Sequence, residues 1–334
     1  MCGDCSNCKT IFDLGHVGLQ GKGCIRNPMF LAQIAVPCSQ NMLNESLYIQ
    51  TPTKTLQWTQ NLPGSTFSRV ELGTRCVDGT TQYAFMKRPL ISGKSLLYEA
   101  CIQYIVRESL IRGGFARGAA QVYDIFKLKD KSICFSMEVF QEAKPLSTIL
   151  PHVPDTTALI LELLLQLAAM LWHLSVDIGM NHRDLKPSNL MLEVRPHPVP
   201  LQLKIGEKSV TIQSRFTISL VDFGFSCIGS TVTQVSDIAI GNVYSPLDPC
   251  PKDGRDLFMF LAFLYMDCAP KIGADLRRCF AKWLHNGTTG ILGKIDKLGH
   301  EFDPWIYFIT GSERIRSFDS TPETIFMDLK TMAA

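Results

Sequence analysis

The sequence of 334 residues lacks a charge excess, internal repeats and low-complexity tracts. Its net charge is only +2, and hydrophobic residues make up 46% of the chain against 19% for charged ones. This composition excludes an intrinsically disordered chain. A protein that holds nucleic acid by bulk charge would be more basic, so we expect no direct nucleic-acid binding. The length predicts one large globular domain or two of ordinary size.

Long hydrophobic runs are also scarce. Leu159–Leu174 is interrupted by Glu162, Gln166 and His173, and Leu257–Met266 is too short to cross a bilayer. The first residues are polar and do not form the apolar core of a secretory signal. We therefore expect no membrane association and a cytoplasmic or nuclear location.

Cysteine, in contrast, is abundant, with 12 residues along the chain. Without a secretory signal, these cysteines are expected to be reduced thiols and mostly small core residues. Cys2, Cys5 and Cys8 form two overlapping C-x-x-C steps, with His16 and Cys24 downstream. Thiolates so close together can share a tetrahedral Zn²⁺. A second C-x-x-C pair is missing, so a flexible arm that carries cysteines is the alternative to a zinc site.

Strand patterns dominate the first half of the chain after an irregular extension over residues 1–54. A D-G turn separates two of the predicted strands, and a pair of glycines ends the predicted helix. The predicted elements are strands over Thr55–Leu62, Ser68–Cys76 and Thr80–Arg88, a helix over Ser95–Arg112 ended by Gly113-Gly114, strands over Ala120–Lys127 and Ser132–Phe140, and a linker over Gln141–Pro145.

Helix patterns dominate the second half. Leu159–Leu174 is apolar nearly all round, with Asp155 as a candidate N-cap and Gly179 at its end. Leu257–Met266 is apolar on every face as well, so both segments are expected to be core helices. Strands first and helices later indicate an α+β protein of two lobes, a small β-rich lobe over residues 55–142 and a larger helical lobe over 143–334.

Two short motifs carry the functional information. Asn181–Leu190 reads N-H-R-D-L-K-P-S-N-L, and Leu220–Phe225 reads L-V-D-F-G-F after an apolar strand. Together they are similar to the H-R-D-x-K-x-x-N catalytic loop and the D-F-G turn of protein kinases. The chain resembles the eukaryotic protein kinase family from residue 56 to about residue 270.

The resemblance implies a role for each polar residue of these motifs. Asp184 would orient the substrate hydroxyl and accept its proton, and Lys186 would lie beside the transferred γ-phosphoryl group. Asn189 and Asp222 would offer oxygen ligands to Mg²⁺ bound to the phosphates of ATP. Lysine at position 186 is typical of kinases that act on Ser or Thr. Arg183 could pair with a phosphate or an acid of the activation segment.

The motifs that precede the catalytic loop in a kinase sequence match this chain less closely. Tyr83–Lys87 resembles the V-A-I-K strand, so Lys87 would hold the α- and β-phosphates of ATP and pair with a glutamate of the following helix. Glu99 is the candidate, although it lies only 12 residues after Lys87, and Glu108 is the alternative. A solvated helix acid remains the other interpretation of Glu99.

The loop over the phosphates departs from the family pattern. The segment 62–70 keeps the frame of L-G-x-G-x-F-G-x-V through Phe67 and Val70 but has none of its three glycines. Gly64 and Ser65 are the remaining small residues that could approach a phosphate there. Phe85 occupies the place of a small residue over the adenine. In the strand that leads to the hinge, Met137 would be the gatekeeper, and backbone groups of Glu138 and Phe140 would contact the adenine edge.

A long insertion separates the two motifs. The 32 residues between Asn189 and Asp222 predict a Pro-rich arm followed by a β-hairpin, inserted at about 193–218. This insertion resembles haspin-type kinases and the kinases of large DNA viruses. Asp256 matches the aspartate that ties down the catalytic loop in the family. The A-P-E signature of the family is missing after Asp222, and the hairpin could hold the activation segment in one conformation. Because Asp237 also offers a fixed negative charge there, we expect this segment to need no phosphorylation.

The resemblance therefore implies an ATP- and Mg²⁺-dependent kinase that phosphorylates Ser or Thr of a protein. A pseudokinase that keeps the fold as a scaffold is the alternative, favoured by the missing glycines and by Phe85. A small-molecule kinase of the same fold is a third hypothesis, disfavoured by the Lys186-Pro187 step.

Overall fold

The computed structural model describes residues 39–43, 46–50, 54–62, 68–77, 79–128, 130–154, 156–228, 248, 250–285 and 290–333, with side chains from residue 68 onward. Its elements divide into a β-rich N-terminal part and a larger, mainly helical C-terminal part. The predicted α+β class is confirmed.

An antiparallel sheet of seven strands builds the N-terminal part, in the spatial order β1-β2-β3-β4-β5-β7-β6. Strands β3 to β7 match the five predicted strands, and Gly79 takes a φ of +79° in the turn between β4 and β5. The strands are β1 (Ser39–Leu43), β2 (Ser46–Gln50), β3 (Lys54–Leu62), β4 (Ser68–Val77), β5 (Thr80–Pro89), β6 (Val122–Lys127) and β7 (Ile133–Met137).

Strands β1 and β2 lie inside the segment 1–54, so the expectation of an irregular extension is wrong for these residues. Both are only five residues long. Strand β2 pairs with β3, for example Leu47 with Trp58, and β1 pairs with β2. Pairing with a neighbouring strand, rather than intrinsic preference, decides the structure of such short segments.

Helix α1 (Leu97–Arg112) packs against this sheet. Ala100 and Cys101 of the helix share a buried apolar cluster with Val122, Ile125 and Phe135 of β6 and β7. The helix ends at the predicted glycine pair, where Gly114 takes a φ of +86° that a residue with a Cβ rarely adopts. The predicted helix is confirmed.

Helices and one long hairpin build the C-terminal part. Its elements in chain order are β8 (Ala143–Pro145), α2 (Leu146–Ile149), α3 (Thr157–Ile178), β9 (Met180–Asn181), β10 (Leu190–Ile205), β11 (Lys208–Leu220), β12 (Cys227–Ile228), α4 (Arg255–Cys268), α5 (Ala274–Trp283), α6 (Ile291–Leu298), α7 (Asp303–Gly311) and α8 (Pro322–Ala333).

Helices α3 and α4 form the centre of this part. Every residue from Arg255 to Tyr265 is buried, as predicted for an all-apolar core helix. By length and composition α3 could cross a membrane, since its most apolar window has a mean hydropathy of 1.8, but 61% of that window is buried inside the protein. Helix α3 ends at Gly179, which adopts a φ of +62°. The candidate N-cap Asp155 lies outside the described residues.

The predicted hairpin is present but is longer than expected. Strands β10 and β11 pair along nearly their whole length, and the register shifts between Val194 and Val199. Pro196 and Pro198 lie in this shift, where the missing N–H of proline breaks no ladder bond. The prediction of a separate Pro-rich arm is therefore wrong, because these prolines belong to β10.

Strand β8 lies in a segment that the sequence predicts to be a linker. The predicted linker Gln141–Pro145 contains β8, which pairs with β10 through Leu192 and Lys144. This strand forms because of a tertiary contact, since three residues form a strand only when the edge of another strand is available for pairing.

One pair of cysteines is oxidised, against the expectation of reduced thiols. Cys227 of β12 and Cys250 are joined by a disulfide, and both residues are buried. The other cysteines with described side chains are free thiols: Cys76, Cys101, Cys134, Cys268 and Cys279. The proposed zinc ligands Cys2, Cys5 and Cys8 lie outside the described residues.

Candidate active site

The H-R-D segment follows β9 as a loop that runs into a short 3₁₀ turn, Pro187–Asn189. The carboxylate of Asp256, near the start of α4, fixes the beginning of this loop. Its Oδ2 accepts the N–H of His182 at 2.7 Å, and its Oδ1 accepts the N–H of Arg183 at 2.9 Å. Arg183 has a φ of +65°, a conformation unusual outside glycine that this double anchor supports. The contact that the kinase resemblance implied for Asp256 is present.

The carboxylate of Asp184 is held on both oxygens. The Asn189 amide Nδ2 donates to Oδ2 at 2.9 Å and also to the backbone carbonyl of Asp184 at 2.8 Å. The Lys186 ammonium donates to Oδ1 at 3.0 Å. The three polar residues predicted from the catalytic-loop motif therefore meet in one hydrogen-bonded group.

Tyr307 joins this group from helix α7, and sequence analysis missed it. Its hydroxyl donates to Asp184 Oδ1 at 2.5 Å and accepts from Lys186 Nζ at 3.2 Å. Tyr307 follows the region of family resemblance, and no local pattern around it marks a functional residue.

The D-F-G segment lies beside the catalytic loop. Asp222 has a φ of +67° at the start of a 3₁₀ turn, and Phe223 is buried with its ring 5.2 Å from that of His182. His182 Nε2 lies 3.0 Å from the carbonyl of Val221, so this nitrogen carries the proton and donates it. His182 thus links the two motifs by hydrogen bonding.

Lys87 of β5 bridges two carboxylates. Its Nζ donates to Glu99 Oε1 at 2.5 Å and to Asp222 Oδ1 at 2.7 Å. The side chains of Lys87 and Glu99 are each only 5% exposed. The alternative partner, Glu108, lies two and a half turns along the same helix, is 42% exposed and pairs with Arg107. The structure places Glu99, and not Glu108, beside Lys87.

Lys87, Glu99 and Asp222 form a charged trio, and the charge of each depends on the other two. Burial disfavours the charged ammonium, but Asp222 and Glu99 outweigh it and raise the pKa of Lys87. Burial also raises the pKa of the Glu99 carboxyl, against the effect of Lys87. For Asp222 burial is outweighed by Lys87, which holds the pKa of that carboxyl below its usual range. Lys87 and Asp222 are thus charged near neutral pH.

The predicted adenine-facing residues lie where β4, β5 and β7 run side by side. Val70 pairs with Lys87, and Phe85 pairs with Met137. Beyond β7 the N–H of Glu138 donates to the carbonyl of Gln121, and the carbonyl of Phe140 accepts from Ala143. The predicted loop residues Gly64 and Ser65 lie outside the described residues.

Oxygen donors for Mg²⁺ are available in the trio and the catalytic loop. Because Asn189 uses its amide nitrogen on Asp184, its side-chain oxygen is free to face a metal. Asp222 contributes a carboxylate that is 26% exposed. Mg²⁺ typically takes one or two protein oxygens together with phosphate oxygens and water, so this small set fits it. In the described part of the chain, no three His, Cys, Asp or Glu side chains cluster closely enough for an all-protein metal site.

Arg183 pairs with an acid, as the resemblance implied, but the acid is Asp248. The carboxylate of Asp248 also binds Lys252 and Arg255, at 2.5 and 2.8 Å, and all four side chains are fully buried. Burial and the nearby Arg255 guanidinium lower the pKa of Lys252 to about 8. Asp237, the acid expected to serve the activation segment, lies outside the described residues.

No protein-family model matches the chain, and no curated protein matches it. Solved structures that align with it include two kinase domains. The BubR1 kinase domain has a TM-score of 0.40 and 13% identity over 54% of this chain and 49% of its own. The PF14_0431 kinase domain has a TM-score of 0.31 and 16% identity over 56% of this chain and 53% of its own. The chain thus spans about half the length of each of these solved chains, and similarity at this level does not establish a shared function.

Proposed function

We propose that this protein is an ATP-dependent protein kinase that transfers the γ-phosphoryl group to a Ser or Thr hydroxyl. One observation carries the proposal: the carboxylate of Asp184, the ammonium of Lys186 and the amide of Asn189 meet in one group. A general base must lie within hydrogen-bond reach of the proton it accepts, and a cation beside it stabilises charge that develops on the transferred group.

The trio of Lys87, Glu99 and Asp222 would hold the phosphates. Glu99 fixes the ammonium of Lys87 at 2.5 Å, so the charge is in place before ATP arrives. Lys87 would bind the α- and β-phosphates, while Asp222 and Asn189 would hold Mg²⁺. When bound, the metal neutralises phosphate charge.

The backbone beyond β7 would bind the adenine. The N–H of Glu138 and the carbonyl of Phe140 are used inside the protein. This leaves the carbonyl of Glu138 as an acceptor and the N–H of Phe140 as a donor for the adenine edge, the two kinds of group that an adenine presents in return.

The same proposal has three further parts: the substrate is a protein and not a small molecule, the acceptor is Ser or Thr, and the location is cytoplasmic or nuclear. They rest on the Lys186-Pro187 step and on the sequence composition. The pseudokinase alternative rests on the missing glycines of segment 62–70. The preformed groups around Asp184 and Lys87 favour the enzyme, since a scaffold has no need of them.

A single substitution tests the proposal. Asp184→Asn removes the proton acceptor but keeps the size of the side chain, so phosphotransfer is expected to fall on the order of 10²–10⁴-fold while ATP binding is retained. The assay follows labelled ATP with Mg²⁺, a protein mixture and a metabolite mixture in parallel. The control Asp275→Asn alters an acid that is 76% exposed on α5 and should keep full activity.

The results distinguish the three hypotheses. Label in protein that depends on Asp184 supports the proposal. Label that appears only in metabolites would make the chain a small-molecule kinase, and ATP binding without any transfer would make it a pseudokinase.

A further inference from the structure

Tyr307 occupies an unusual place for a residue of helix α7. Its hydroxyl lies 2.5 Å from Asp184 Oδ1 and 3.2 Å from Lys186 Nζ. These are the proposed base and the proposed charge-stabilising cation. Among the described residues, Tyr307 is the one whose hydroxyl hydrogen-bonds to the carboxylate of Asp184.

The phenol ring is held in this place by its packing. It lies 5.8 Å, centroid to centroid, from the ring of Phe263 in the buried helix α4. The Lys186 ammonium lies 5.9 Å from the centroid of the same ring. The hydroxyl is therefore positioned by the protein core and not by a mobile chain end.

An external hydroxyl cannot reach Asp184 Oδ1 while Tyr307 is there. The side chain of Asp184 is only 7% exposed, and Oδ1 already accepts from both Lys186 and Tyr307. Oδ2 is occupied by the Asn189 amide. The tyrosine thus stands where an acceptor hydroxyl must stand to give its proton to Asp184.

We propose that Tyr307 is a phosphoacceptor for the active site of its own chain, an inference that rests on the proposed kinase function. The phenolic oxygen attacks the γ-phosphorus of ATP, and a new P–O bond to Oη forms as the bond to the β-phosphate oxygen breaks. ADP leaves with that electron pair, and the phenolic proton passes to Asp184. Because the protein's own helix carries Tyr307, its acceptance does not depend on how a substrate peptide binds.

Phosphorylation of Tyr307 changes the active site that carries it out. A phosphotyrosine carries about −1.5 to −2 charges at pH 7. The carboxylate of Asp184 repels such a group, so the modified side chain no longer fits at hydrogen-bond distance. The transfer therefore occurs once per chain and leaves Asp184 open to an external acceptor.

The test is incubation of the purified full chain with Mg²⁺ and ATP, followed by intact mass and peptide mapping by mass spectrometry. We expect one phosphate on Tyr307, formed at a rate per chain that does not change on dilution, as required for transfer within one molecule. Tyr307→Phe, which keeps the ring packing, should lose this phosphate. Tyr83→Phe, a control at a residue that is 59% exposed on β5, should keep it.

The protein mixture assayed in parallel separates the two proposals. Phosphate on external protein but none on Tyr307 would overturn this inference and leave the kinase proposal standing. If Tyr307→Phe then phosphorylated external protein faster than the wild type, the tyrosine would only compete with external acceptors for Asp184. Phosphate on Tyr307 together with label on Ser or Thr of external protein, both abolished by Asp184→Asn, supports both. Transfer to neither acceptor would overturn both.

Discussion

The choice between Glu99 and Glu108 depends on which face of α1 each residue occupies. The two acids are nine positions apart, and nine steps of 100° turn the second one by half a circle relative to the first. Glu99 consequently faces Lys87 and is buried, whereas Glu108 pairs with Arg107 near the surface. A sequence spacing shorter than the family usually shows is compatible with this pair because α1 begins soon after β5.

Removal of either partner of the Lys87–Glu99 pair should abolish the proposed kinase activity. Glu99→Ala leaves the Lys87 ammonium without one of its two fixed carboxylates, and Lys87→Ala leaves the buried Glu99 and the partly exposed Asp222 without their shared cation. We expect both variants to weaken ATP binding or turnover strongly, measured by nucleotide titration and by phosphate transfer.

Glu108→Ala is the matched control on the same helix and should behave like the wild type. If Glu108→Ala lost activity while Glu99→Ala kept it, the observed contact with Lys87 would have no functional meaning.

Residues within a short motif could be identified from the sequence, while residues brought in by tertiary contacts could not. Asp184, Lys186 and Asn189 lie within six positions, so their mutual contacts follow from local chain geometry. Tyr307 meets Asp184 across 123 positions, and Asp248 meets Arg183 across 65. Contacts of that range depend on how α7 and the segment before α4 pack, and hydrophobic pattern alone does not specify this packing.

At the scale of elements, the predictable features are those with a strong internal signal. The core helices α3 and α4 have long apolar runs, and the β10–β11 hairpin has two apolar segments around Gly206. Strands β1, β2 and β8 have only three to five residues each, and neighbouring strands determine their structure. The sequence predicts an arm for the Pro-rich part of β10 because a strand tolerates proline only where its hydrogen-bond ladder is interrupted. The sequence does not show that the β10–β11 ladder is interrupted there.

The disulfide between Cys227 and Cys250 links β12 to the segment before α4. It closes a loop of 23 positions that begins three residues after the D-F-G glycine. A cross-link of this length restricts the unfolded chain and is worth roughly 3 kcal/mol of stability in the chain-entropy model. In this model the disulfide stabilises the folded protein by restricting its unfolded chain.

Reduction should therefore lower the free energy of unfolding by roughly 3 kcal/mol, measured by urea denaturation with and without dithiothreitol. The double variant Cys227→Ser with Cys250→Ser should start from the lower stability and not respond to the reductant. Cys279→Ser, which alters a free thiol on α5, should respond like the wild type. A peptide map of the unreduced protein without a Cys227–Cys250 link would contradict the assignment.

At the scale of the whole molecule, the carboxylate of Asp248 joins the catalytic loop to the helical part. It binds Arg183 in the H-R-D loop, Lys252 just before α4 and Arg255 at the start of α4. Lys252 extends the network, because its ammonium donates to the carbonyls of Thr310 and Ser312 at the end of α7. The helix that carries Tyr307 is thereby tied to the loop that carries Asp184. An acid already paired with Arg183 also supports the expectation that activity needs no phosphorylation of the activation segment.

Asp248→Asn should consequently destabilise the protein far more than loss of a surface acid. The substitution removes the carboxylate that three buried cations share, and breaking a buried ion pair costs about 3–5 kcal/mol because the remaining charge stays desolvated. Asp275→Asn removes an exposed partner of Arg278 and should cost within about 1 kcal/mol. Urea denaturation of both variants, with the slope of the transition checked for change, measures the difference. Equal stabilities of the two variants would mean that Asp248 does not carry a shared charge in the folded protein, and the network between the catalytic loop and α7 would have to be held by other contacts.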